Sequence, residues 1–348
     1  MASSPSKGLR EQMAVAVASM HYRDNLSQAH ISKRLGLGRM QVSRLVRLAR
    51  ELGFVSGPTI RAPLYLELGS EMLAKLPKLR SVKVAVTHSA MSLHGKVEVV
   101  SASAAELWEN ELGSTSRTTR VGIGGGRAMA ALVDLVRLEG AKFDCYALSN
   151  IPSGDWEVSA DTNLAVLKRR FPDIAIHPLL AMQLSPEMSQ AQIAADRERL
   201  LSLKCVQDHM RQMESCRVIF TGVGSVLDPN LRQRLSAIGL PASRIPKEVT
   251  GDISYNLVYH DRHVFHEDCP LNKRLISVPM ATLAKAAVKR RSLVAVVGWG
   301  GLKARPILDA YRARVFNSLV IDVELAEELL ALLERGYLDG SMPAAEGG

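Results

Sequence analysis

A chain of 348 residues is too long for one small core and fits a compact accessory domain plus one larger domain. With 47% hydrophobic and 23% charged residues, no low-complexity tract and no internal repeat, it reads as ordinary globular protein, which excludes the disordered, collagenous and solenoid classes. The net charge of +9 is distributed unevenly: residues 1–61 hold ten lysines or arginines against three acids, so +7 of the total sits in the first sixth of the chain. That pattern describes a basic head on a nearly neutral body and points to a polyanionic partner for the head.

No apolar run approaches the roughly 18–20 residues needed to cross a bilayer, and the N-terminal residues lack the order of a secretory signal. A cytoplasmic location without membrane attachment is expected. Cys145, Cys205, Cys216 and Cys269 are widely spaced with no C-x-x-C pair, so reduced and mostly buried thiols are expected, not a disulfide framework or a zinc ribbon.

Three helices are expected first, over 9–22, 27–35 and 39–52, the second opened by Ser27 as N-cap. Ile31, Leu35, Val42, Leu45 and Leu48 recur at helical spacing on inward faces, Ser32 is small where two helices cross, and Gly36 stands where a tight turn needs positive φ. Together these specify a helix-turn-helix whose second helix enters the major groove. Its N-terminal residues Arg39, Met40, Gln41, Ser43 and Arg44 are the expected base contacts; Arg39, Gln41 and Arg44 are the best base readers, because Arg pairs with guanine and Gln with adenine in bidentate fashion. Lys33, Arg34, Arg47 and Arg50 are expected on phosphates, and Ser27 is included in the DNA-binding set.

Helical patterning breaks over 54–58, and a connecting helix is expected over 64–76, giving a head over 1–57, a linker helix over 58–78, a ligand-binding and oligomerisation body over 79–338 and a tail over 339–348. From residue 82 onward short β-branched runs alternate with helical stretches: strands at 82–86, 120–123, 217–220, 293–297 and 318–321, with helices over 102–112 and 128–138 among them. Runs apolar at nearly every position suit a parallel sheet covered on both faces.

Glycine-rich turns follow three of these strands, where open α/β sheets bind ligands: Gly122–Arg127, Thr221–Ser225 and Gly298–Lys303. Glycines let an anion approach backbone N–H groups at a helix N-terminus, and Arg127 adds a charge-assisted contact. A dinucleotide fingerprint is excluded, because counting G-x-G-x-x-G from Gly122 puts Arg127 at the third glycine and no acid closes a second strand about 20 residues on.

With these motifs in order, the chain resembles the SorC family of bacterial sugar-responsive transcription regulators, also described as DeoR-like, from about residue 9 to residue 333. The resemblance rests on Val42-Ser43-Arg44-Leu45, the Gly122–Arg127 loop, Thr221-Gly222-Val223-Gly224, Gly251-Asp252-Ile253, Gly300-Gly301-Leu302-Lys303-Ala304 and Leu319-Val320-Ile321-Asp322. It implies an α/β fold, with a three-helix helix-turn-helix domain and a C-terminal Rossmann-like effector domain similar to sugar-phosphate isomerases. It also implies a double-stranded DNA operator, a sugar or sugar-phosphate effector, and a homodimer or homotetramer. Gly124, Gly125, Gly126 and Arg127 are the implied anion loop, Gly222 and Gly224 the second turn, and Asp252 and Lys303 the contacts to the sugar-like portion. Ala128 stands where relatives often carry a hydroxyl residue, Gly125 where an aromatic is frequent, and Leu302 where an acid commonly precedes the lysine.

Two other readings compete. His260, His263, His266 and Cys269 recur at intervals of three and suit either a zinc site or a polar surface loop, of which the loop is preferred; no metal or cofactor is expected. A sugar-phosphate isomerase with an accessory head is the enzymatic alternative, but no further general base stands beside Asp252 and Lys303, and catalytic residues are not expected. A DNA-binding protein whose body serves only assembly is the third.

Overall fold

The computed structural model describes residues 7–18, 20–21, 26–52, 64–113, 117–138, 140–150, 156–180, 188–260 and 273–339. It divides into two compact units, residues 1–60 and 61–348. The first contains α1 (Lys7–Ala18), α2 (Gln28–Leu35) and α3 (Arg39–Glu51). Ala14 and Val17 of α1, Ile31 of α2, and Val42, Leu45, Val46 and Ala49 of α3 close a small core, the inward stripe that helical spacing dictates. Ser27 caps α2 by accepting the His30 N–H, and Gly36 ends it at φ 66°. Ser32 Oγ donates to the Leu37 carbonyl at 2.6 Å, tying the turn to the preceding helix. Leu35, expected inward, is 38% exposed: α2 has only eight residues, and its last one lies at the rim where the chain turns at Gly36.

The second unit begins with α4 (Leu66–Lys75) and β1 (Ser81–Ala85), followed by α5 (Leu93–Leu112), β2 (Thr119–Ile123), α6 (Arg127–Leu135), β3 (Phe143–Ala147), α7 (Ala160–Arg170) and β4 (Ala175–His177). After α8 (Gln190–Ser202) and α9 (Lys204–Met213) come β5 (Val218–Ser225), α10 (Pro229–Ala237), β6 (Val249–Ile253) and β7 (Asn256–Tyr259). The unit closes with α11 (Met280–Ala287), β8 (Leu293–Gly298), α12 (Ala304–Arg312), β9 (Ser318–Asp322) and α13 (Val323–Glu334).

Seven strands form one parallel sheet in the order β1-β9-β8-β5-β2-β3-β4, and the antiparallel pair β6–β7 hangs from the end of β5. Successive side chains of a strand point to opposite faces. Val294 and Val296 therefore enter one core with Ile321, Leu308 and Leu329, while Leu293, Ala295 and Val297 enter the other with Trp108, Phe143 and Phe220. Burial on both sides is why these strands are apolar at every position.

Three features differ from expectation. The helix expected as a connector belongs to the body, since Met72 and Leu76 are fully buried in its core. The second glycine-rich turn is no turn: β5 runs on to Ser225, pairing with β8 as far as Gly222 and with β6 from Val223. His260, expected in an exposed hairpin or loop, is buried at the end of β7 and bonds Asp309 Oδ1 at 3.1 Å, while Thr250 and Tyr337 donate to Oδ2 at 2.8 and 3.1 Å. A buried carboxylate needs such partners, and Asp309 collects them from the hairpin and the C-terminal segment. His263, His266 and Cys269 lie outside the described residues. Of the other cysteines, Cys145 and Cys216 are buried and Cys205 is exposed.

Candidate functional site

On the head, Val42, Leu45, Val46 and Ala49 take the inner face of α3, which leaves Arg39, Met40, Gln41, Ser43, Arg44 and Arg47 on the outer one. All six are exposed, Met40 to 68%, as are Ser27, Lys33 and Arg34. The structure thus brings the expected DNA-facing residues onto the outer surfaces of α2 and α3. Two of them are already engaged within the head. Ser27 Oγ is the cap of α2, at 3.2 Å from the His30 nitrogen. The Gln41 carboxamide oxygen accepts the Gly38 N–H at 2.8 Å, so the bidentate adenine contact expected of Gln41 is not available in this conformation. The physical reason is local: Gly38 is the N-cap of α3, has no side chain of its own, and the third helical residue folds back to satisfy its N–H.

In the body, β2, β3 and β4 extend the sheet to one side and β5, β8 and β9 to the other, so the strand order reverses between β2 and β5. That is the switch point at which open α/β sheets hold ligands. A cavity of about 560 Å³ lies there. One wall is the β2–α6 turn, Gly125 to Ala128, backed by Glu157 and Val158; the floor is Gly222, Val223 and Gly224 of β5. Val297, Trp299 and Lys303 close it from the β8–α12 side, Asp252, Ser254 and Tyr255 from the hairpin, and Asp228, Asn230, Gln233 and Arg234 from the start and face of α10. Seven of the eight expected effector residues line this one cavity. Gly124 is the exception: its carbonyl accepts Asn163 Nδ2 at 3.0 Å and its nitrogen donates to Phe220 O at 2.9 Å, which ties it behind the wall.

The glycines matter for definite reasons. Gly126 precedes α6 at φ 101°, a conformation that side chains disfavour, and it aims the first N–H groups of α6 along the wall. A side chain at Gly224 would collide with the Asp252 carboxylate, which lies over the strand. At Gly125 an added Cβ would stand 3.0 Å from the Val158 carbonyl, so this backbone has no room for the aromatic frequent in relatives. Leu302, where relatives commonly carry an acid, is 55% exposed.

Charge inside the cavity is buried. Lys303 is 8% exposed; its ammonium rests 3.5 Å from the centre of the Trp299 ring and makes no ion pair among the described residues. Burial lowers its pKa to about 8, against the opposing pull of Asp228 and Asp322 and with help from Arg234 and Arg127. Burial also pushes the Asp252 carboxyl up, opposed by Arg234, by the Tyr255 N–H bonded to Oδ2 at 3.0 Å, and by Lys303. The loop carrying Lys303 is fixed from β9: Asp322, fully buried, accepts the N–H groups of Gly300 at 3.0 Å and Leu325 at 3.1 Å. Asp228 caps α10 through the Asn230 N–H at 2.9 Å, with Pro229 at the first helical position.

Arg234, Gln233, Asn230, Asp228, Ser254, Tyr255 and Trp299 were not among the residues assigned to the site from sequence. For α10 a signal was available, since Asp228-Pro229 straight after a strand marks a helix start and Asn230, Gln233 and Arg234 share a face at three- and four-residue spacing. Ser254 and Tyr255 had none, because nothing local marks their turn.

A basic, solvent-facing helix-turn-helix in one unit and a ligand-sized polar cavity at the switch point of the other define a ligand-responsive DNA-binding regulator. The family model described as "Putative sugar-binding domain" matches residues 66–331. The chain belongs to that family, and with it to the SorC-type, DeoR-like transcription regulators; it is not an enzyme. It is 25% identical over 344 residues to the transcriptional regulator LsrR of Enterobacter sp. (strain 638), covering 92% of this chain and 94% of that one. To the sorbitol operon regulator of Klebsiella pneumoniae it is 25% identical over 348 residues, covering 92% and 98%. The crystal structure of the full-length sorbitol operon regulator SorC from Klebsiella pneumoniae superposes with a TM-score of 0.59 at 21% identity, over 92% of this chain and 99% of that one. A DeoR family transcriptional regulator from Listeria monocytogenes gives 0.60 at 16% identity, over 76% and 98%.

Proposed function

We infer that this regulator couples operator binding to occupancy of the body cavity by a small, anionic, sugar-like effector. The observation that carries the reading is Lys303, an ammonium held nine-tenths buried on an indole face in a cavity that also receives Arg127, Arg234 and the N-terminus of α6. Charge buried at that cost is offset when an anion enters, and a helix N-terminus supplies backbone donors for the same group. Asp228, Asn230, Gln233 and Asp252 offer hydrogen-bond partners for hydroxyls. Arg127, Gly125 and Gly126 then hold the anion, and Asp252 and Lys303 stand toward the sugar-like portion.

The head binds double-stranded DNA through α3, with Arg39, Met40, Ser43 and Arg44 toward base edges and Lys33, Arg34 and Arg47 toward phosphates. A homodimer or homotetramer in the cytoplasm presents paired heads to a roughly palindromic operator of a carbohydrate or polyol operon. Among the described residues no helix is long and apolar enough to cross a membrane.

Thermal unfolding of the full chain against a panel of sugars, polyols and their phosphates tests the effector. A phosphorylated or otherwise anionic member is expected to raise the midpoint, by stabilisation of about 2.7 kcal/mol at a hundred times its Kd, and the rise is expected to vanish in Arg127→Ala and Lys303→Ala. A response to neutral sugars alone, or one that survives in both variants, overturns the anion assignment.

A further inference from the structure

The Gln41 hydrogen bond decides which base this residue can read. Its oxygen is committed to the Gly38 N–H at 2.8 Å, and because the donor there is a backbone N–H, the atom bonded to it must be the oxygen and not the nitrogen of the carboxamide. A Cβ built on Gly38 would stand 3.4 Å from that oxygen, so the carboxamide lies folded over the start of the helix. The Gly38 carbonyl meanwhile accepts the Gln41 and Val42 N–H groups at 2.8 and 3.1 Å, which completes the first turn. Gln41 remains exposed, on the same outer face as Arg39, Met40 and Arg44. What it turns outward is therefore an NH2 group, a donor without its acceptor.

An adenine contact through N6 and N7 needs both halves of the carboxamide, whereas a lone donor is matched by the acceptors of guanine (O6, N7) or thymine (O4). We propose that Gln41 specifies an acceptor-bearing base, guanine or thymine, at one position of each operator half-site and does not select adenine. This rests on the reading of α3 as the DNA-reading helix.

The test is selection of binding sites from a random duplex pool by the full chain, comparing the parent with Gln41→Ala and Gln41→Glu. Gln41→Glu retains an acceptor for Gly38 and places a carboxylate at a helix N-terminus, so α3 stays capped while the outward group changes from donor to acceptor. The parent is expected to enrich guanine or thymine at one position of each half-site, by on the order of threefold to tenfold over adenine. Gln41→Ala is expected to make that position degenerate with the rest of the motif unchanged. Gln41→Glu is expected to move the preference to cytosine, whose N4 amino group donates.

Adenine at the position that responds to Gln41→Ala overturns the proposal in favour of bidentate reading. A motif unaltered in both variants overturns it in favour of a purely structural cap. Absence of any enriched motif with the parent overturns the DNA-binding reading itself, and so separates the two failures. Far-ultraviolet circular dichroism of each variant establishes that the helices are intact before the pools are compared.

Discussion

Lys303 shows at the scale of one residue how a binding group is maintained at the expense of stability. Its folded-state pKa of about 8 lies below the ordinary 10.5, so at neutral pH folding must bury a charged ammonium that water would solvate. Lys303→Met removes that cost and keeps the stem's packing beside Trp299. The variant is expected to be more stable than the parent without ligand at pH 7, by about 1–3 kcal/mol, and to lose the effector-induced rise in midpoint. The sign with pH follows from proton counting. Between pH 8 and 10.5 the unfolded chain holds the lysine proton and the folded chain does not, so the parent gains stability relative to Lys303→Met as pH rises through that window. Anion affinity runs the other way, full below about pH 8 and falling above it. Denaturant unfolding of both proteins from pH 7 to pH 10, alongside effector titrations, checks both trends. Lys303 could be singled out from sequence by the glycine-rich turn before it; its burial and its indole partner could not.

Elements make the same division. α3 was readable because Val42, Leu45 and Leu48 repeat at helical spacing and Ser27 and Gly36 punctuate α2, which are local constraints on φ, ψ and capping. The core they close is small, and it depends on few side chains: Ile31 is the one buried residue of α2. Ile31→Ala is expected to cost about 2–4 kcal/mol of head stability. In the full chain this should appear as weakened operator binding in a mobility-shift titration, while the effector-induced thermal shift of the body is unchanged. Equal loss of both responses would mean that the two units do not unfold separately. β5, by contrast, invites misreading, because Gly222 and Gly224 look like the end of a strand. They are glycine because Gly222 forms cavity floor and Asp252 packs over Gly224, and the ladder to β6 carries the strand through them. The β6–β7 turn places Ser254 and Tyr255 at φ 48° and 62° without a glycine or asparagine to announce it. Its support is non-local: Asp252 Oδ2 accepts the Tyr255 N–H, Ser254 Oγ meets Thr221 Oγ1 at 2.7 Å, and Asn256 Nδ2 reaches the Val278 carbonyl at 3.0 Å.

At the scale of the whole molecule, function requires that effector and operator each bias one equilibrium. If the effector changes operator affinity by some factor, the operator must change effector affinity by the same factor. Calorimetric titration of effector into the free protein and into the protein saturated with operator duplex measures one side, and operator titration with and without effector the other. Equal factors are expected; equal affinities in every state would show that the cavity and the head are uncoupled, leaving the body an assembly module.

The sequence by itself determined the class of the molecule: a basic helix-turn-helix head, a parallel α/β body, and glycine-rich segments followed by Arg127 and Lys303. Those features are written in spacing, charge and backbone freedom, which act over a few residues. Tertiary structure alone decided that the three segments converge on one cavity, that α10 and the hairpin turn complete it, and that His260 serves Asp309. Each of these depends on contacts between residues far apart in the chain, where strand order and burial, not local propensity, determine what a side chain meets. Even within the head, an N–H left without a partner at Gly38 redirects Gln41 from the groove to the helix end.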